Sequence, residues 1–167
     1  MKIAKLIILQ LFWYVSIKYG GQYFVPLIGL GLYFVDFFIF KKAERLSTRY
    51  FLFSLALILL GMGMDKAFEA LGLLTWGNRF YPNELVSVWV IFPCYFYQFF
   101  KKFSSPVWLS FLMGFIFGPL AYYSGGNINS GIELELDPIS LSTVAIFWGV
   151  FFCLSLFGYN NFFKTSN

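Results

Sequence analysis

Long apolar stretches separated by short polar breaks run the length of this chain. Six of them, residues 3–19, 23–40, 50–74, 85–100, 107–123 and 139–159, reach or approach the required span length. A helix needs about 20 mostly apolar residues to cross about 30 Å of hydrocarbon. The breaks fall at Gly20-Gly21-Gln22 and at residues 41–49, 75–84, 101–106 and 124–138. The first and fourth stretches are short, so their ends are the least defined. The pattern predicts an all-α, polytopic integral membrane protein with about six transmembrane helices in a single domain over residues 1–167.

The basic residues test that count independently. With a cytoplasmic amino terminus and six spans, nine of the twelve fall inside: Lys2, Lys5, Lys41, Lys42, Arg45, Arg49, Lys101, Lys102 and Lys164. Lys18 and Arg79 fall outside, and Lys66 lies within the third span. This is the bias of the positive-inside rule, and it places both termini in the cytoplasm. An odd number of spans scatters it. The longest polar segment, residues 124–138, carries Glu133, Glu135 and Asp137 with no basic residue, as suits an external loop. Trp76, Tyr81, Tyr122, Tyr123 and Tyr159 stand near span boundaries, where aromatic anchors are expected. The basic start followed by residues 6–15 resembles a signal peptide, but no small-residue cleavage site follows. It reads as an uncleaved first span.

Composition agrees. Of 167 residues, 59% are hydrophobic and 12% charged, against about 45–50% and about 25% in an ordinary soluble domain. Aromatics reach 24%, and the mean hydropathy is +0.72. There is no histidine. That removes Ser-His-Asp and Cys-His catalysis, HExxH zinc hydrolysis, His-ligated haem and histidine-box di-iron oxidation in one step. Cys94 and Cys153 lie in apolar runs without CxxC spacing, so neither a disulfide framework nor a thiolate metal site is read. The net charge of +4 borders apolar segments and forms no nucleic-acid patch.

Ionisable residues inside a span are costly and need a reason. The third span holds three, in Gly61-Met62-Gly63-Met64-Asp65-Lys66-Ala67-Phe68-Glu69. Asp65 and Glu69 are four apart and share a helical face, and Lys66 and Glu69 can pair. At about 1.5 Å per residue, Asp65 lies roughly 22 Å along from Tyr50, toward the external side. The functional reading is a carboxylate site for handling protons or for holding a cationic or hydroxylated ligand. The structural reading is an internal ion pair that orients the span. Asp36 has Lys41 and Lys42 five and six residues on, and it reads as a snorkelling pair. Glu84, beside Pro82 and Asn83, either caps the fourth span or joins the carboxylates of the third. Gly61 to Asp65 comes near the Gly-x-Gly-Asp element of intramembrane aspartyl proteases, but Met64 interrupts it and no Tyr-Asp partner exists.

In the fifth span, Gly114 and Gly118 give a GxxxG spacing that admits a neighbouring helix. Pro119 follows, removing the donor for the carbonyl near Phe115 and predicting a bend or break there. Tyr122, Tyr123 and the Gly125-Gly126 exit complete a segment where freed backbone groups can line a cavity. Pro93 interrupts the fourth span in the same way.

Several of these elements, taken in order, resemble a bacterial family of small multi-pass membrane proteins catalogued as domain of unknown function 2878. They are Gln10-Leu11-Phe12-Trp13, the stretch Gly61 to Asp65, and Pro82 ahead of Val88-Trp89. Above all there is Gly118-Pro119-Leu120-Ala121-Tyr122-Tyr123-Ser124-Gly125, which looks like the family's Gly-Pro-Leu-x-Tyr-x-x-Gly signature. Where the family pattern carries tryptophan two residues after Pro82, this chain has Glu84. The resemblance covers nearly the whole chain and implies a multi-pass protein of the bacterial inner membrane. It brings no catalytic residue and no cofactor with it.

Three functional readings follow. The first is a membrane protein that binds or helps to modify a lipid or lipid-like small molecule in an intramembrane polar cavity. Its candidate residues are Asp65, Lys66, Glu69, Glu84, Tyr122 and Tyr123. The second is a small transporter or substrate-binding membrane subunit, for which no inverted repeat is detected. The third is a non-catalytic scaffold for partner enzymes. The partners these imply are the lipid bilayer, a lipid or small apolar ligand, and a membrane protein, but no nucleic acid.

Overall fold

A computed structural model describes the backbone of residues 2–20, 22, 24–44, 47–100, 106–128 and 131–163. It contains the helices α1 (Lys2–Tyr19), α2 (Phe24–Glu44), α3 (Ser47–Ala70), α4 (Asn83–Phe100), α5 (Val107–Ile128) and α6 (Pro138–Phe163). Two strands of two residues each, β1 (Leu74–Thr75) and β2 (Glu133–Leu134), complete it. Each helix coincides with one apolar stretch. Within the described residues three segments are long and apolar enough to cross a bilayer: Thr48–Ala70, Val107–Ile128 and Pro138–Asn161. Shorter apolar segments are Phe24–Asp36 and Asn83–Cys94. Of the basic residues behind the orientation, Arg45, Lys101, Lys102 and Lys164 lie outside the described residues.

The chain forms two compact units. The first is Met1–Met62 with Arg79–Gln98, and the second is Gly63–Asn78 with Phe99–Asn167. Helix α3 contributes to both.

In the first unit, α2 and α3 meet through aromatic and polar contacts. The Tyr33 ring stacks on that of Tyr50, with centroids 6.3 Å apart and planes 11° from parallel. The Tyr50 hydroxyl donates to Asp36 Oδ2 at 2.7 Å, and both residues are buried. The side chains of Lys41 and Lys42, on which the snorkelling reading of Asp36 rests, lie outside the described residues. A phenol fourteen residues on gives its carboxyl group an internal partner, a long-range pairing that local charge spacing does not reveal. Phe53 of α3 packs on Phe96 of α4, centroids 6.0 Å apart.

In the second unit, α5 lies against α6. A side chain at Gly114 would fall 2.3 Å from the Trp148 carbonyl oxygen, and one at Gly118 would fall 2.2 Å from the Trp148 ring. The absent side chains let the helices approach, as small residues do in apolar surroundings. Helix α5 continues unbroken through Pro119 and through Gly125 and Gly126 to Ile128. The helix thus runs on past Pro119 while packed closely against α6. Gly126 serves a close approach instead, since its Cβ would lie 2.7 Å from the Ile132 carbonyl oxygen.

The loops of this unit are tied together. Antiparallel β1 and β2 pair Leu74 with Leu134 and Thr75 with Glu133. The Glu135 N–H adds a bond to the Leu73 carbonyl at 3.0 Å. Helix α6 starts with an aspartate cap and a proline at its first position, the favoured combination. Asp137 Oδ1 accepts from the N–H groups of Ile139 at 2.9 Å and Ser140 at 3.1 Å.

Candidate functional site

The end of α3 builds the polar cluster of the second unit. Gly72 adopts φ of +72°, the left-handed conformation that glycine takes without steric penalty. The Gly72 N–H bonds to the Glu69 carbonyl at 2.9 Å and the Leu73 N–H to the Phe68 carbonyl at 2.8 Å. This pair of bonds is the Schellman ending, and buried Phe68 and Leu73 supply the apolar contact that accompanies it. The chain is thereby turned back into β1, and Trp76 just beyond it is brought against the last turns of α3.

Asp65 is wholly inaccessible, at 0% exposure. Its Oδ1 accepts a hydrogen bond from the hydroxyl of Tyr122 on α5, 57 residues away. Aromatic rings surround the donor. Phe68 meets Tyr122 edge-on at 6.2 Å, and Trp148 of α6 meets it at 6.0 Å. Phe147 packs edge-on against Phe68 at 5.6 Å. A carboxyl group is thus fixed in orientation by a phenol inside an apolar, aromatic shell. Such a group is suited to hydrogen-bonding a hydroxyl or amine that reaches it, and to exchanging a proton with one.

The other two charges of the trio face a different environment. Lys66 and Glu69 form an ion pair, with side chains 40% and 29% exposed. The Lys66 ammonium also stands over the Trp76 ring, 5.5 Å from its centroid. Of the three charges, Asp65 alone is fully buried.

Tyr123 is half-exposed, whereas its neighbour Tyr122 is buried. Glu84 belongs to the first unit. It is buried at the start of α4, and Arg79 Nη1 donates to both its oxygens, at 2.9 and 3.1 Å. Gly20 lies against its Cα, where a side chain would come within 2.7 Å. Among the described residues no group of three His, Cys, Asp or Glu side chains is arranged to hold a metal.

Of the aromatics near span boundaries, Trp76, Tyr122 and Tyr159 are buried within the protein. Trp76 forms part of the polar cluster. The signal that could have found it is Gly72 just after α3, since a glycine there marks a chain reversal that returns the following residues to the helix end.

Among the described residues there are six helices, three of them long and apolar enough to cross a bilayer, which point to a helical membrane protein. The family described as protein of unknown function DUF2878 matches residues 2–154, and the chain belongs to that family. No curated protein and no solved structure matches the chain.

Proposed function

We propose that this is a six-span protein of the bacterial inner membrane with both termini in the cytoplasm, and that it binds or helps to modify a lipid or lipid-like small molecule. The polar site is the cluster of Asp65, Lys66, Glu69 and Tyr122. The observation that carries the reading is the Asp65–Tyr122 hydrogen bond, a buried carboxyl group oriented by a phenol within aromatic walls. Polar groups at that depth are costly unless they serve structure or function. An apolar surround with a few convergent polar groups is the composition of a small-molecule site.

The test compares lipid profiles. Asp65→Asn, Glu69→Gln and Tyr122→Phe are each expressed in a deletion strain at normal membrane abundance. The deletion is expected to alter the lipid profile, and Asp65→Asn and Tyr122→Phe are expected to fail to restore it. Full rescue by all three variants removes the lipid role of this site and leaves a scaffold. Altered uptake or efflux with an unchanged lipid profile replaces it with transport.

A further inference from the structure

The Lys66 ammonium is held in a small receptor made by this chain. On one side is the Glu69 carboxylate, and on the other is the face of Trp76. A carboxylate beside an indole face is a general arrangement for recognising an organic cation, because charge attraction and the ring quadrupole act on the same group. Trp76 is 3% exposed, so its ring is already enclosed. The Schellman turn at Gly72 and the β1–β2 pairing fix its position. The receptor is preformed.

Its occupant is not equally fixed. The Lys66 side chain is 40% exposed, and a half-exposed ion pair contributes little net stability and exchanges readily. The surroundings favour a cation in its place. Residues 65–76 and 131–137 carry Asp65, Glu69, Glu133, Glu135 and Asp137 against the single base Lys66. Such a potential attracts ammonium groups and repels phosphate or carboxylate groups.

We infer that Glu69 and Trp76 form a receptor for a primary ammonium group, the headgroup of an amine-bearing lipid, and that Lys66 is its displaceable internal occupant. This rests on the lipid-binding reading and names the ligand class of the same site.

The test uses the full chain in detergent, titrated with phosphatidylethanolamine or phosphatidylglycerol, with bound lipid counted by native mass spectrometry. Lys66→Met empties the receptor and is expected to raise retention of phosphatidylethanolamine on the order of tenfold, with phosphatidylglycerol unchanged. Adding Glu69→Gln to Lys66→Met is expected to abolish that gain, and Lys66→Arg is expected to behave as wild type. Lys66→Gln provides a second neutral variant should Lys66→Met fail to fold. No gain for the neutral variants, or an equal gain for both lipids, overturns the ammonium receptor while leaving lipid binding intact. Retention of neither lipid by any variant, wild type included, overturns both.

Discussion

At the scale of single residues, two aspartates show how position decides role. Asp65 has no contact with solvent and is bonded to Tyr122. Asp137 is partly exposed and caps α6, where the Ser140 hydroxyl and then the Ser140 N–H, with a smaller part from Ile139, hold its carboxyl below the ordinary aspartate value. The sign follows from linkage. A group that titrates lower in the folded state stabilises the fold above its unfolded value, about 4, and loses that contribution as pH falls through the lowered one. Asp137→Asn keeps part of the cap without the charge. The melting temperature of the variant in detergent is therefore expected to lie below that of wild type at pH 6, and the gap is expected to shrink toward pH 3. A gap independent of pH would show that the cap does not depend on ionisation.

At this scale the sequence showed which ionisable residues stand out more readily than what they touch. Asp65, Lys66 and Glu69 were legible because charges within an apolar run stand out, and the Lys66–Glu69 pair follows from their spacing. Tyr122 was legible as a candidate cavity residue near a span end, but its partner was not. Its bond to Asp65 joins positions 57 apart, and no local pattern encodes it. The same holds for Tyr50 and Asp36.

At the scale of elements, helix existence was legible because each helix is one uninterrupted apolar stretch. Ends were less so. Gly125 and Gly126 read as a loop, yet α5 continues to Ile128, with Gly125 buried and Gly126 against the Ile132 carbonyl. Tertiary packing overrides the glycine signal there. The two-residue strands have no pattern long enough to detect.

Two substitutions test which glycines the elements depend on. Gly72→Ala must place a side chain at φ of +72°, which costs about 1–2 kcal/mol for an L-residue. Gly118→Leu puts its first side-chain carbon within 2.2 Å of the Trp148 ring. Overpacking of that kind typically costs about 1–3 kcal/mol, and here α5 and α6 must part to relieve it. Both variants are expected to unfold at lower denaturant concentration. By contrast, Gly63→Ala, where no neighbour lies within 4 Å of the added carbon, is expected to match wild type. Equal stability of all three would mean that the α3 ending and the α5–α6 contact are not tight.

At the scale of the whole molecule, the expected topology is a matter of which loops meet water on which side. A chain lacking Cys94 and Cys153 and carrying Ser130→Cys is expected to react from outside intact cells with a membrane-impermeant maleimide. Arg45→Cys is expected to react only after permeabilisation. The reverse pattern would invert the orientation, and reaction of both from outside would require an even number of spans between them.

The ion pair on the last turns of α3 also has a consequence for what can occupy its place. Lys66 is anchored three residues from Glu69, so any incoming amine competes with a tethered rival whose effective concentration is in the millimolar range or above. A scarce solute loses that contest. A molecule that makes up much of the surrounding bilayer, concentrated in two dimensions beside the protein, can win it, so occupancy would follow the composition of the membrane rather than the level of any dilute metabolite.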